Sequence, residues 1–148
     1  MRSMFMVVLV AALALASALA YGSTVDHVGI IKSMAGDVVI ARGGRTFKAG
    51  TNMILLEGDV VQTGAKGKAG LILDDDTVIS LGSNSMMVIK SFMFQPNEKK
   101  LSLIVRVFLG TVSFLSGQIA KLAPNLVHIE TPFATVGIRG THVLIQVD

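Results

Sequence analysis

The sequence predicts an all-β fold of short antiparallel strands, arranged either as a two-sheet sandwich or as a solenoid-like β-roll. Two observations carry that prediction. After Tyr21 the apolar residues never recur at i, i+3, i+4 over several turns, so no long amphipathic helix is encoded. Instead, runs rich in Val, Ile, Leu and Thr are broken roughly every ten residues by Gly, Asn or Asp, which is the punctuation of strands and tight turns.

The chain opens with a different kind of segment. Arg2 gives a positive start, Met4 to Ala16 form an uncharged apolar run, and Ala18-Leu19-Ala20 has the small-x-small pattern of a processing site. Residues 1–20 therefore read as a signal peptide removed after Ala20, with the mature chain starting at Tyr21. The competing reading is an uncleaved anchor, because the apolar character continues to Tyr21 and approaches the roughly 20 residues that a membrane helix needs. Leu103 to Leu109 is broken by Arg106 and closed by Gly110, so no integral membrane span is expected after signal cleavage.

Residues 21–148, about 128 in number, have the length of one domain with one core. Its expected strands are, in order, Val28 to Met34, Val38 to Ala41, Val60 to Thr63, Gly70 to Leu73, Val78 to Leu81 and Met86 to Phe92. Leu101 to Val107, Thr111 to Leu115, Leu126 to Thr131, Ala134 to Ile138 and Thr141 to Val147 complete the set. Turn residues separate them at Ala35-Gly36-Asp37, Gly43-Gly44, Glu57-Gly58-Asp59, Asp74-Asp75-Asp76 and Gln95-Pro96-Asn97. In the strand from Leu101, strict alternation puts Leu101, Leu103, Val105 and Val107 on one face and Ser102, Ile104, Arg106 and Phe108 on the other.

Several chemistries are excluded by composition and spacing. There is no cysteine, hence no disulfide framework and no lipid-anchored cysteine. The net charge of +3 is spread among acids and forms no nucleic-acid footprint. His27, His128 and His142 are too dispersed for a zinc site, and the consecutive acids Asp74-Asp75-Asp76 diverge along an extended chain instead of converging on calcium, so they read as a solvated hairpin turn. Gly64-Ala65-Lys66-Gly67-Lys68-Ala69 lacks the spacing and hydroxyl of a phosphate loop, and Gly137-Ile138-Arg139-Gly140 lacks the helices that a G-x-x-G nucleic-acid clamp requires. No serine occupies a G-x-S-x-G elbow, and no pair of acids has surroundings that would split their titration. No catalytic, metal or cofactor site is expected.

The densest motif is Thr131-Pro132-Phe133-Ala134-Thr135-Val136-Gly137-Ile138-Arg139-Gly140-Thr141. Pro132 holds the chain extended at a strand end, and the two glycines around Ile138-Arg139 suggest a sharp crossing with restricted backbone, more so at Gly140 than at Gly44 in its surface turn. Arg139 has two readings. It is either a recognition residue or a structural guanidinium whose fork pairs with a carboxylate such as Glu130 or Asp59, and the second is the expectation carried forward.

A TP-x-A-x-x-G-[VI]-R-G-T segment leading into an apolar strand resembles the signature of the FecR-type domain, a periplasmic β-rich module. The resemblance rests on Thr131, Pro132, Ala134, Gly137, Arg139, Gly140 and Thr141. Glu57-Gly58-Asp59-Val60-Val61-Gln62-Thr63-Gly64 is similar to the family's G-D-x-[IV]-x-T-G turn, and Leu73-Asp74-Asp75-Asp76-Thr77 to its L-x-D-G-[ST] hairpin, with Asp76 standing where glycine is usual. With Gly36 and Val38 as the opening strand, the resemblance spans nearly all of the mature chain. It implies an exported, periplasmic, non-catalytic module that binds an envelope or periplasmic protein partner in signalling. The alternative is a structural cell-envelope protein associated with peptidoglycan or outer-membrane components. Full regulators of this kind also carry a cytoplasmic segment that binds a sigma factor, so with three residues ahead of its apolar run this chain is expected not to act as the complete regulator.

Overall fold

A computed structural model describes residues 27–148; the export segment and the start of the mature chain lie outside the described residues. Twelve strands follow one another as β1 His27–Ala35, β2 Val38–Arg42, β3 Arg45–Lys48, β4 Ile54–Leu56, β5 Val60–Thr63, β6 Lys68–Leu73, β7 Val78–Leu81, β8 Met86–Gln95, β9 Lys100–Leu115, β10 Val127–Glu130, β11 Thr135–Gly137 and β12 His142–Val147. The only α-helix among the described residues is the short α1, Gln118–Leu122, between β9 and β10. No helix among them is long and apolar enough to cross a membrane. The fold is all-β, as the turn-punctuated sequence predicts.

The strands form one curled sheet in the order β3-β2-β5-β8-β9-β7-β6-β1-β4, with β10 and β12 as further partners of β9 and β11 paired to β10. Strand β9 makes this possible by serving two neighbourhoods. Its first half pairs with β8 and, in parallel, with β10, from Val127↔Leu103 to Glu130↔Arg106. Its second half pairs with β7 and β12, from Val78↔Leu115 to Leu81↔Val112 and from His142↔Leu115 to Val147↔Gly110. The expected separate strands Leu101 to Val107 and Thr111 to Leu115 are thus one, and the pairing with β10 is a parallel exception to the expected antiparallel set.

Gly110 is the corner between the two halves. Its φ is +89°, a region that L side chains rarely adopt, and a Cβ there would stand 2.5 Å from Ser85 Cα and 2.7 Å from the Asn84 carbonyl oxygen. Ser85 closes against the same corner, its hydroxyl accepting the Thr111 N–H at 3.0 Å. The break after Leu109 in the sequence is therefore a bend inside a strand, not its end.

The expected alternation holds through β9. Leu103, Val105 and Val107 are fully buried, while Arg106 and Phe108 face out. These residues join Val28, Ile31, Ile40, Leu55, Leu71, Ile79, Met87, Phe114 and Ile129 in one continuous core. Two strands were not expected. β3 forms across the Gly43-Gly44 turn, both glycines having positive φ, but Arg45-Thr46-Phe47-Lys48 offers only one apolar residue. β4 has three residues and pairs only with the edge of β1, too little for a period-two pattern.

Asp74-Asp75-Asp76 corrects a second expectation. Asp75 is not solvated; it is fully buried, and its carboxylate accepts from the Thr77 N–H at 3.1 Å, the Thr77 hydroxyl at 2.8 Å and the Ile119 N–H at 3.1 Å. Its main-chain carbonyl also takes the Gln118 N–H at 2.7 Å. The turn thereby holds the start of α1, whose five residues are too few to show a helical period. Asp76 has φ +68°, which explains why glycine suits this position and why aspartate, tolerant of left-handed backbone, can replace it.

Candidate functional site

The Thr131–Thr141 motif is a hairpin followed by a crossing. Thr131 and Ala134 close the β10–β11 turn, the Thr131 N–H donating to the Ala134 carbonyl at 2.8 Å and the Thr131 oxygen accepting the Ala134 N–H at 3.0 Å. Threonine supplies that local acceptor and proline presets the next φ, so Thr131 and Pro132 shape the turn. Phe133 rides at its tip, 85% exposed, and no apolar neighbour shelters it.

Beyond the turn, β11 returns along β10 with Glu130 opposite Thr135 and His128 opposite Gly137. Val127 and Ile129 point into the core, which leaves His128 and Glu130 on the outer face. Thr135, Val136 and Gly137 are all exposed. β11 has no neighbour but β10 among the described residues, so its other edge is open. Ile138 then drops into the core and anchors the crossing. The Gly140 carbonyl accepts the Ser116 hydroxyl at 2.8 Å and the Thr141 carbonyl the Ser116 N–H at 2.8 Å, which ties the chain down before it enters β12.

Neither carboxylate expected to pair with Arg139 does so. Asp59, almost wholly buried, is held by Arg42, whose Nε and Nη2 donate to its two oxygens at 2.7 and 2.6 Å, and by the Leu56 N–H at 2.9 Å. Arg42 also donates to the Ile54 carbonyl at 3.0 Å and lies over the Phe47 ring, and the hydrogen bond to Asp59 raises its guanidinium above the ordinary value. Glu130 is taken by Lys90 at 2.8 Å and Arg106 at 3.4 Å. The bond to Lys90, together with the charges of Lys90, Arg106 and His128, lowers the Glu130 carboxyl below its ordinary value. Arg139 is exposed, and among the described residues its side chain has neither an ion pair nor a hydrogen bond.

Arg139 instead lines a cleft of about 490 Å³ together with Pro124, Asn125, His128, Gly137 and Ile138. No carboxylate lines it. The floor is apolar and the polar rim can donate hydrogen bonds, so the cleft suits a group that accepts them. The two motif glycines do not crowd anything: a Cβ at Gly137 or Gly140 would meet no atom within 4 Å, and only Gly140, at φ +117°, has a positive φ. The expected contrast with Gly44 fails, since Gly44 is equally open and has φ +76°.

Sequence reasoning missed Arg42, Asn125 and His128. The signal for His128 was present: a turn at Thr131–Ala134 places residue 128 opposite Gly137, where the missing side chain leaves its flank uncovered. Arg42 gave no local signal, because its partner is 17 residues away across β2 and β5. Among the described residues no three His, Cys, Asp or Glu side chains gather as a metal site.

The FecR protein family matches residues 59–148, which takes in β5 through β12 and the whole 131–141 motif. β1–β4 lie ahead of the match, so the resemblance read across the opening strand is narrower than expected, although β2 supplies the Arg42 that secures the first matched residue, Asp59. No curated protein and no solved structure matches the chain. With well over half its length matched, the chain belongs to the FecR family.

Proposed function

We propose that this protein is exported and acts as a non-catalytic, protein-binding module of the cell envelope, meeting its partner through the Thr131–Thr141 segment. Membership of a signalling-related family supports the reading. The observation that carries it is Phe133, an aromatic side chain 85% exposed at the tip of a turn whose geometry needs only Thr131, Pro132 and Ala134. Aromatic side chains presented this way are enriched where proteins meet.

The test is a photo-crosslinking residue placed at Phe133 of the full chain in cells. A discrete protein adduct is the expected result. Adducts only to insoluble wall material would favour the structural envelope protein instead. Intact mass of the envelope form should show a chain beginning at Tyr21, as the Ala18-Leu19-Ala20 pattern requires; a chain retaining residues 1–20 would make the segment an anchor.

A further inference from the structure

Two features of this hairpin lie side by side and neither is used inside the fold. One is the open edge of β11, whose residues carry no proline and no charge to deter another strand. The other is the Arg139 cleft, which offers a guanidinium, the His128 ring and the Asn125 amide with no acid to meet them. Gly137 ends β11 and lines the cleft as well, so the edge runs directly into it.

We infer that the two form one site for an extended acidic segment of a partner protein, its backbone pairing with Thr135–Gly137 and one of its carboxylates meeting Arg139. The inference deepens the proposed protein-binding role and rests on it. Edge pairing supplies sequence-independent main-chain hydrogen bonds, and a pocket beside the edge supplies selectivity. A planar guanidinium matches a carboxylate through two parallel hydrogen bonds, and the one acid close to this face, Glu130, is already held by Lys90 and Arg106. An anionic lipid could meet the cation, but its tails offer nothing to the unpaired N–H and C=O groups of β11.

The probe is a fluorescent synthetic peptide of alternating Thr and Glu, with a Thr-Gln peptide of the same length as its neutral counterpart, titrated into the purified full chain and followed by anisotropy. The Thr-Glu peptide should bind. The Thr-Gln peptide should bind about tenfold or more weakly, and Arg139→Gln should bring the two together, as loss of one member of an interfacial charge pair does. Arg45→Gln, an exposed arginine at the β2–β3 turn, should change nothing. Of two Thr-Glu peptides N-methylated on alternate residues in opposite registers, one should fail to bind. Melting temperatures of the variants establish that each is folded.

Equal binding of the Glu and Gln peptides, an unchanged affinity in folded Arg139→Gln, or indifference to N-methylation in both registers would overturn the inference. So would binding to phosphatidylglycerol vesicles without binding to the peptide. Capture of a protein at Phe133 with no affinity for the acidic peptide would leave the protein-binding role standing and remove this site. Peptide binding without any adduct in cells would do the reverse.

Discussion

The Asp74–Asp76 turn and the Thr131–Thr141 segment begin from similar material, a few polar residues in a turn between short apolar strands, and the fold treats them in opposite ways. In the first, Asp75 is buried and each oxygen of its carboxylate is committed to a donor of the chain itself, with the start of α1 secured as a result. In the second, Thr131 satisfies the turn and everything beyond it faces outward: Phe133 without shelter, Arg139 without a carboxylate, β11 without a second neighbour. A buried polar group must find its partners within the chain, whereas an exposed one can wait for them. Hence a distinctive sequence motif does not by itself say whether its charged residue holds the fold together or looks outward.

The largest effect should come from comparing glycines. Gly110 and Gly140 both have positive φ, so alanine at either is strained by about 1–3 kcal/mol. At Gly110 the new Cβ also collides with the backbone of Asn84 and Ser85, adding about 1–3 kcal/mol of overpacking, whereas at Gly140 it meets open space. Gly110→Ala should therefore melt well below Gly140→Ala in a thermal scan. Equal melting would mean that the β9 corner yields, and that the contrast between a crowded interior and an open motif is weaker than the geometry says.

Next in size is Asp75→Ala. It leaves the Ile119 and Thr77 donors buried without acceptors, at about 1–3 kcal/mol for each orphaned group. Asp76→Ala removes only an exposed bond from Gln118 and should cost far less, since φ +68° disfavours aspartate and alanine alike. Chemical denaturation of the two variants measures the difference. Similar midpoints would show that the buried carboxylate contributes nothing beyond its exposed neighbour.

The sequence made the strands of the core legible because burial on one face leaves a period of two, and Leu103, Val105 and Val107 display it plainly. It showed the turns through Gly, Asp and Asn. Contacts between distant residues were hidden. Three consecutive aspartates look solvated until the chain brings Ile119 to Asp75 across 44 residues, and Arg139 looks paired until Arg42 and Lys90 are found to hold the two acids that seemed available. The exposure of Phe133 follows from a short hairpin that pairs only through β10, a property of the sheet's edge order that local pattern does not encode.

Arg139→Lys should lie near zero on the stability scale. The guanidinium has no partner among the described residues, and exposed substitutions of that kind stay within about 0.5 kcal/mol. Arg42→Lys is the informative counterpart, because lysine cannot reproduce the fork that meets both Asp59 oxygens and the Ile54 carbonyl. Thermal melting should separate Arg42→Lys from wild type and leave Arg139→Lys beside it. A marked fall for Arg139→Lys would return this residue to the interior network and weaken every argument for an outward role.

The smallest effect concerns Glu130, the acid nearest to the motif, and it tests whether that acid is truly engaged. The Lys90 hydrogen bond and the surrounding positive charge lower its folded pKa below the ordinary 4.5. A lowered folded value means that the contribution is present above the unfolded value and is lost as pH falls through the folded one. Wild type should therefore exceed Glu130→Gln slightly at pH 7, and the gap should close as the pH drops below about 4.5. The effect stays small because the carboxyl is on the surface, where solvent and salt screen its partners. Denaturant midpoints at both pH values, repeated at high salt, read the difference. If the gap persisted in acid, the Glu130 charge would not be its source, and Lys90 and Arg106 would no longer explain why Arg139 is left without a carboxylate of its own.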